Sequence, residues 1–245
     1  MRARSVSGLV AAASVGCLVL VGCANSNDAP TAADTSDSPT TQTSASDPTP
    51  TPTPSTATSE ASPTPGSLTD RLLPTGSVPG LNAQWHWQDG ETGPAVTEPF
   101  GFCGKADLGS IGAVEVVERT YFPPDDSDDN AAEQVAEFPD ANTTARAWAV
   151  LKSWHDRCAK SVTEDISLKV RPLVSVPVTS GAARWYLVSW QPPSEETGRF
   201  EALGMVLDGT RIAVLRIDDS GQDYNYPAGK EPMVAMAKAA AELLG

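Results

Sequence analysis

The chain has 245 residues, of which 31 are acidic and 17 are basic, giving a formal net charge of −14. This excess of acid repels phosphate groups and anionic lipid headgroups, and no cluster of lysine and arginine reverses it locally. DNA, RNA and a membrane surface held by charge alone are therefore excluded as partners.

The first 22 residues are typical of a bacterial signal peptide. Two arginines lie among the first four residues, and an apolar or small run, GLVAAASVGCLVLVG, occupies residues 8–22. The run is short for a membrane-spanning helix, which needs about 20 apolar residues. Its end overlaps LVGC, residues 20–23, which resembles the lipobox of bacterial lipoproteins.

This resemblance implies that Cys23 receives a diacylglycerol and that cleavage occurs before it. Fatty acyl chains such as palmitate then anchor the protein to the outer face of the cytoplasmic membrane. Cys17 follows SVG, which lacks the aliphatic first position, and so fits the lipobox less well. An ordinary secreted protein and an uncleaved anchor helix are the alternatives. The membrane is thus a predicted partner, reached through lipid.

Residues 23–70 are predicted to form a disordered linker. Within them, residues 24–66 contain no Val, Ile, Leu, Met, aromatic, Lys or Arg residue and are mostly Thr, Ser, Pro, Ala and Asp. A segment with nothing to bury does not offset the entropy lost on ordering. The alternating prolines of DPTPTPTP favour an extended polyproline conformation. The linker acts as a spacer, either bare or O-glycosylated.

Residues 71–245 are long enough for one folded domain with its own core. Their patterns predict, in chain order, strands over 83–88, 113–122 and 132–138, a helix over 140–160 capped by Asp140, strands over 166–174, 185–190, 200–207 and 210–217, and a helix beginning at Pro232. Asp208-Gly209 is a strong hairpin signal between the last two strands. Hairpins with two helices inserted among or after them predict an α+β fold, an antiparallel sheet with two main helices on one face.

The cluster WHDRC, residues 154–158, sets a histidine, an aspartate and a cysteine close together. Such a cluster suits a nucleophilic thiol, part of a metal site, or half of a disulfide. With Cys17 removed and Cys23 lipidated, Cys103 and Cys158 remain, and paired cysteines oxidise outside the cytoplasm. The sequence therefore favours a Cys103–Cys158 disulfide, whose loop of about 55 residues contributes roughly 4 kcal/mol.

No metal and no cofactor are predicted. With two histidines and no CxxC or HExxH motif, a zinc site lacks ligands. Asp126, Asp128, Asn130 and Glu137 match positions 1, 3, 5 and 12 of a calcium loop, but Ala131 stands where that loop requires glycine. A solvated hairpin tip accounts better for this acidic segment. The chain also has no G-x-S-x-G, P-loop or dinucleotide motif.

The last two predicted strands carry apolar side chains on both faces. One face holds Leu203, Met205, Leu207, Ile212 and Val214, and the other holds Phe200, Ala202, Gly204, Ala213 and Leu215. With both helices on one face, the second face stays open unless residues 70–102 cover it. This second face, together with Trp85 and Trp87 from a turn-rich segment, is the predicted ligand site.

The sequences VAEFPDANTTARAW and LKSWHDRCA, within residues 102–159, resemble the PknH-like extracellular sensor domain of actinobacteria. The resemblance implies an α+β fold with a cleft on the sheet, a sensing or ligand-binding role, and no catalysis. It also matches Cys103 and Cys158 to the first cysteine pair of that family, whereas the family's second pair is absent here. Because the chain shows no kinase domain, signalling is expected to need a separate partner.

The sequence thus predicts a lipid-anchored binding or sensor lipoprotein on the extracytoplasmic face of the cell membrane, with an unknown envelope ligand or signalling partner. Such a protein is not an enzyme. The alternative is an envelope hydrolase acting on cell-wall or lipid substrates through paired carboxylates or a Ser–His pair.

The lipobox is tested by replacing the cysteine that would carry the lipid. We expect the Cys23→Ala protein to lose its acyl chains and to move from the detergent phase to the aqueous phase in a phase-partition assay, because it then lacks the anchor. Cys17→Ala is the matched control and should partition as the parent does. A Cys23→Ala protein that stays in the detergent phase contradicts the lipoprotein hypothesis.

Overall fold

The computed structural model describes residues 66–161 and 168–245. The predicted signal peptide, Cys17, Cys23 and most of the predicted linker lie outside these residues. Positions 166 and 167, at the start of the strand predicted over 166–174, also lie outside them. Within the described ranges, no helix is both long enough and apolar enough to cross a membrane.

The secondary structure consists of eight strands and two α-helices, with short 3-10 turns in the described part of the chain. They are β1 (Gln88–Pro94), β2 (Glu115–Phe122), β3 (Asn130–Glu137), α1 (Ala141–Cys158), β4 (Lys169–Val170), β5 (Val174–Val176), β6 (Ala182–Trp190), β7 (Gly198–Asp208), β8 (Arg211–Gly221) and α2 (Pro232–Leu244). The strands form one sheet in the order β1-β2-β3-β8-β7-β6-β4, with β5 also paired to β6, and every pair is antiparallel. The predicted α+β class with an antiparallel sheet is confirmed.

Local signals place several of these elements correctly. The predicted hairpin at Asp208-Gly209 is the β7–β8 turn, in which Asp208 pairs with Arg211 and Gly209 has a φ of 55°. A positive φ is readily adopted by glycine, which has no β-carbon. At the start of α1, the side chain of Asp140 accepts a hydrogen bond from Thr143 N at 2.8 Å, so the predicted N-cap is confirmed.

Two predicted strands differ from the observed ones. Residues 83–87 are not in a strand, and β1 begins only at Gln88, the last residue of the predicted segment. The alternation of Trp85 and Trp87 instead brings their rings into edge-to-face contact at 5.4 Å, with Trp87 Nε1 donating to the carbonyl of Pro79. The described part of 166–174 is divided between β4 and β5, because Pro172 has no N–H to donate to the sheet ladder.

The two helices lie on opposite faces of the sheet, so their predicted placement on one face was wrong. Ala147 of α1 packs in a cluster with Met205 of β7, whereas α2 packs against the neighbouring β7 residues Ala202 and Val206. Successive side chains of a strand point to opposite faces. Because β7 and β8 are apolar on both faces, each face requires its own cover.

The predicted ligand face is therefore part of the core, and its assignment as an open binding surface was wrong. The residues buried there are Trp87, Ala202, Gly204, Ala213 and Leu215, while Trp85 and Phe200 are half-buried against the same cluster. The cover comes from α2 and also from the apolar side chains of residues 68–78. A side chain beneath a packed helix is not available to a ligand.

A buried acid fixes the start of the domain to the sheet. The carboxyl of Glu133, 0% exposed, accepts a hydrogen bond from Leu73 N at 2.6 Å, while Tyr121 and Arg119 donate to Leu73 O at 2.8 and 2.9 Å. Burial raises the pKa of Glu133 to about 7. Three side chains of β2 and β3 thus hold both polar groups of residue 73.

The closed face predicts the cost of adding a side chain at Gly204. A β-carbon there would lie 2.6 Å from Met233 Sδ and 3.2 Å from Leu215 Cβ. We expect Gly204→Leu to lower the free energy of unfolding by about 1–3 kcal/mol through overpacking, as measured by urea denaturation.

Gly93→Leu in β1 is the matched control for this prediction, since no atom lies within 4 Å of a β-carbon at that position. Its free energy of unfolding should stay close to that of the parent. Equal stability of the two variants would mean that the face of β7 under α2 is open.

Candidate functional site

An open cleft of about 470 Å³ lies at one end of the sheet, where β6 and β8 end and β3 and β7 begin. Its walls come from three loop segments, and its floor comes from β7 and β8. The lining residues are Phe102, Asp128, Asp129, Asn130, Trp190, Pro192, Glu195, Arg199, Phe200, Glu201, Asp218 and Asp219. We refer to this site as the acidic cleft.

A disulfide holds one wall of the acidic cleft in place. Cys103 and Cys158 are joined, with their Cα atoms 5.5 Å apart, as the cysteine arithmetic predicts. The bond ties the segment that carries Phe102 to the end of α1. Phe102 N then donates to Glu201 Oε1 at 2.6 Å, and its ring, in a residue 42% exposed, packs on Trp190 with centroids 5.5 Å apart.

Two acids share the floor of the cleft. Glu201 and Asp218 face each other across β7 and β8, and their carboxyl groups are hydrogen-bonded. Glu201 is only 6% exposed, and burial together with the charge of Asp218 raises its pKa to about 7. Burial also raises the pKa of Asp218, although Arg216, with Nε 3.1 Å from Asp218 Oδ2, opposes that rise. Glu201 is therefore the member of the pair that keeps a proton.

Further acids line the cleft. Burial and the charge of Asp129 raise the pKa of Asp219 to about 6. Asp129 itself accepts hydrogen bonds from the N–H and hydroxyl of Ser220 at 2.9 and 3.1 Å. The guanidinium of Arg199 is paired with Glu195 at 3.0 Å. In total the lining contains six carboxyl groups and one guanidinium, so the cleft has a negative potential.

The other residues singled out in the sequence do not form a site. Asn130 and Glu137 lie at opposite ends of β3, so the residues that match the spacing of a calcium loop do not surround one ion. Among the described residues, no three His, Cys, Asp or Glu side chains are grouped to hold a metal. His155 of the WHDRC cluster is buried, with Nε2 2.9 Å from the carbonyl of Arg171, and supports the fold there.

Phe200 is the one predicted ligand residue that lines the acidic cleft. Phe102, Trp190, Glu201 and Asp218, which also line the cleft, were not predicted from the sequence. A signal for Glu201 was present, because it interrupts the otherwise apolar stretch FEALGMVL of β7, whereas Asp218 lies in the polar end of β8, RIDDS. In a hairpin, residues equally far from the turn pair with each other. The predicted Asp208-Gly209 turn therefore places Glu201 opposite Asp218.

Two other cavities are less suited to bind a ligand. One of about 540 Å³ lies between residues 177–180 and the end of α2, and its charged residues, Lys238 and Glu242, are exposed. The other lies beneath α1, is lined by Leu151, Trp154 and Leu203 among others, and measures about 40 Å³. It has room for little more than one water molecule. The acidic cleft alone among these three combines an open volume with buried ionisable groups.

Comparison with known proteins does not identify a ligand for the acidic cleft. No family model and no curated protein matches the chain. Among solved structures, the chain is similar to the extracellular domain of PknH from Mycobacterium tuberculosis, with 10% sequence identity and a TM-score of 0.47. That match covers 64% of this chain and 84% of the other. The similarity is too weak for one domain to inform on the ligand of the other.

The raised pKa of Glu201 predicts a pH-dependent contribution to stability. Its pKa is about 7 in the folded chain against an ordinary value of 4.5, so the folded chain holds an extra proton between these values. The free energy of unfolding therefore falls as the pH rises through this window. We expect Glu201→Gln to gain stability over the parent as the pH rises from 5 to 8. The quantity to measure is the difference between their free energies of unfolding, obtained by urea denaturation at both pH values.

Glu196→Gln, at an exposed position in the β6–β7 loop, is the control and should follow the parent at every pH. Some pH dependence should persist in Glu201→Gln, because Glu133 and Asp219 have raised pKa values of their own. If the curves of Glu201→Gln and the parent run parallel from pH 5 to pH 8, Glu201 does not hold a proton in the folded chain.

Proposed function

We propose that the protein is a lipid-anchored, non-catalytic binding or sensor protein on the extracytoplasmic face of the cell membrane, and that the acidic cleft binds its ligand. The observation that carries the proposal is the cleft itself. It brings the nearly buried Glu201 and the half-buried Asp218 together with the partly exposed aromatic rings of Phe102 and Trp190. A concave site with a few convergent polar groups and perturbed pKa values is the usual form of a ligand site.

The features of the rest of the chain agree with this location. LVGC at residues 20–23 is the expected lipid attachment sequence, and the predicted linker separates the domain from the membrane. The Cys103–Cys158 disulfide is of the kind that persists in oxidising compartments. A signal received in the cleft would have to pass to a separate partner protein.

The geometry favours binding over hydrolysis. Glycoside hydrolysis requires carboxyl groups about 5–5.5 Å or 6.5–9.5 Å apart, to leave room for the sugar or for water. Glu201 and Asp218 are instead in direct hydrogen-bond contact, and one oxygen of Glu201 is already bonded to Phe102 N. Of the two histidines, His155 is bonded to a backbone carbonyl and buried beside Tyr186, and neither histidine lines the acidic cleft.

A thermal-shift screen with two tryptophan variants tests the proposal. The panel consists of envelope glycans, lipid headgroups and small amines. A ligand at ten times its Kd stabilises the folded chain by about 1.4 kcal/mol, which raises Tm by roughly 3–5 °C in a domain of this size. We expect at least one compound to raise the Tm of the parent and to fail with Trp190→Ala, which removes one wall of the cleft.

Trp148→Ala is the matched control, because Trp148 is a half-buried tryptophan packed on the far cluster around Ala147. It should respond to the same compound as the parent does. A compound that stabilises the parent and Trp190→Ala by equal amounts would place the binding site elsewhere and contradict the proposal.

A further inference from the structure

We infer that the segment at the start of the domain is a strap, which a proton on Glu133 keeps closed and which ionisation of Glu133 loosens. The strap consists of residues 68–78, and it begins where the predicted linker ends. The inference concerns a different part of the domain from the acidic cleft and does not depend on the ligand bound there. Its basis is the contact between the strap and the buried carboxyl of Glu133.

The strap covers an apolar part of the sheet. One cluster contains the buried strap residues Leu68, Leu72, Leu73 and Val78 together with Val117, Tyr121, Ala131 and Val135 of β2 and β3. The backbone of the strap is fastened at Leu73, since its N–H and its carbonyl are both bonded to side chains of β2 and β3. Opening of the strap would break these bonds and expose the β2–β3 surface to solvent.

The Glu133 carboxyl controls this fastening because it is buried without a cation of its own. Glu133 is 0% exposed, its Oε2 accepts from Leu73 N at 2.6 Å, and among the described residues its Oε1 has no hydrogen-bond partner. Arg119 lies opposite Glu133 in the β2–β3 pairing, but its guanidinium donates to Leu73 O and Thr92 Oγ1. A buried carboxylate with one bare oxygen costs far more free energy than the neutral acid.

Ionisation of Glu133 also draws a hydrogen bond away from the strap. The Tyr121 hydroxyl has one hydrogen, and its oxygen lies 2.8 Å from Leu73 O and 3.3 Å from Glu133 Oε2. When Glu133 is neutral, that hydrogen stays in the shorter bond, which holds the strap. A carboxylate attracts it more strongly, because hydrogen bonds to charged acceptors are about twice as strong as neutral ones. The ionised acid therefore competes with the strap for one donor.

The other elements packed against Glu133 bring no second charge to its carboxyl. From β8, its pairing partner is the apolar Leu215. α2 contributes apolar side chains to the cluster, and its charged residues, Lys238 and Glu242, are exposed. The remaining charged groups of the strap are Asp70, which is exposed, and Arg71, whose Nη1 donates to the carbonyls of Leu243 and Gly245. The pH dependence of the strap is therefore assigned to Glu133.

The direction of this pH dependence follows from linkage. Burial raises the pKa of Glu133 to about 7 from an ordinary value of 4.5, whereas in the open strap water reaches the carboxyl. The closed strap thus binds the proton more tightly, and its advantage is complete below pH 4.5 and lost as the pH rises to 7. The opening equilibrium should rise about tenfold per pH unit within this window, about 300-fold in all, and stay level above it.

Amide hydrogen exchange on the full chain, followed by NMR, tests the inference. The opening equilibrium at Leu73 N–H is obtained by correcting the exchange rate for its intrinsic pH dependence. We expect it to rise about tenfold per pH unit between pH 5 and pH 7. Opening at Leu73 should also be more frequent than at Val206 in the centre of β7, because the strap opens without unfolding of the sheet.

Two variants assign the effect to Glu133. Glu133→Gln keeps an oxygen that can accept from Leu73 N but cannot ionise, so the opening at Leu73 should lose its pH dependence. Tyr121→Phe removes a donor that lowers the pKa of Glu133, so the upper end of the window should move above pH 7. Glu115→Gln, at an exposed position of β2, is the control and should follow the parent.

Tryptic cleavage gives a second readout, because Arg71 lies in the strap and the chain has no Lys or Arg between Arg4 and Arg71. Cleavage after Arg71 requires the strap to open. At pH 8 the parent and Glu115→Gln should be cut there at least tenfold faster than Glu133→Gln. The inference is overturned if the opening at Leu73 is independent of pH in the parent, keeps its pH dependence in Glu133→Gln, or equals that of Val206.

Discussion

The architecture of the domain depends on the burial of both faces of the β7–β8 hairpin. These two strands pair along their full length, from Gly198–Gly221 to Asp208–Arg211, and carry apolar side chains on both sides. Each face must therefore be covered. α1 and the disulfide-bonded loop cover the face that contains Met205, and α2 with the first residues of the domain covers the other. The opposite placement of the helices follows from this single constraint.

The acidic cleft forms where that cover ends. Beyond Leu203 the hairpin continues, but α1 has ended at Cys158, and only the loop around Phe102 closes the side of the sheet. Glu201 and Asp218 occupy this boundary, buried enough to raise their pKa values and open enough to line a cavity. An apolar pair would pack better at this boundary, since burial of an acid opposes its ionisation. The two acids are instead held here by the N–H of Phe102, which donates to Glu201, and by Arg216, whose Nε lies 3.1 Å from Asp218 Oδ2.

The sequence predicted those features that depend on neighbouring residues. The β7–β8 turn follows from Asp208-Gly209, and the start of α1 follows from Asp140, because both are set by hydrogen bonds within a few residues. The disulfide followed from counting cysteines. The side of the sheet on which each helix packs is a non-local property. The alternation of side chains in β7 shows that the sheet has two apolar faces, but it does not show which helix covers which face. The acidic cleft was missed for the same reason: its walls come from loops around Phe102, Asp128 and Trp190, which are distant in sequence.

Burial and the charge of Asp218 raise the pKa of Glu201 to about 7, so the folded chain retains part of a proton there at neutral pH. A carbon-13 NMR titration of the side-chain carboxyl carbons measures this most directly, with the Glu201 resonance assigned by its loss in Glu201→Gln. The account predicts a midpoint for Glu201 near pH 7, with a second inflection from the titration of Asp218. A single midpoint near the ordinary glutamate pKa, about 4.3, would mean that the fold does not raise the pKa of Glu201.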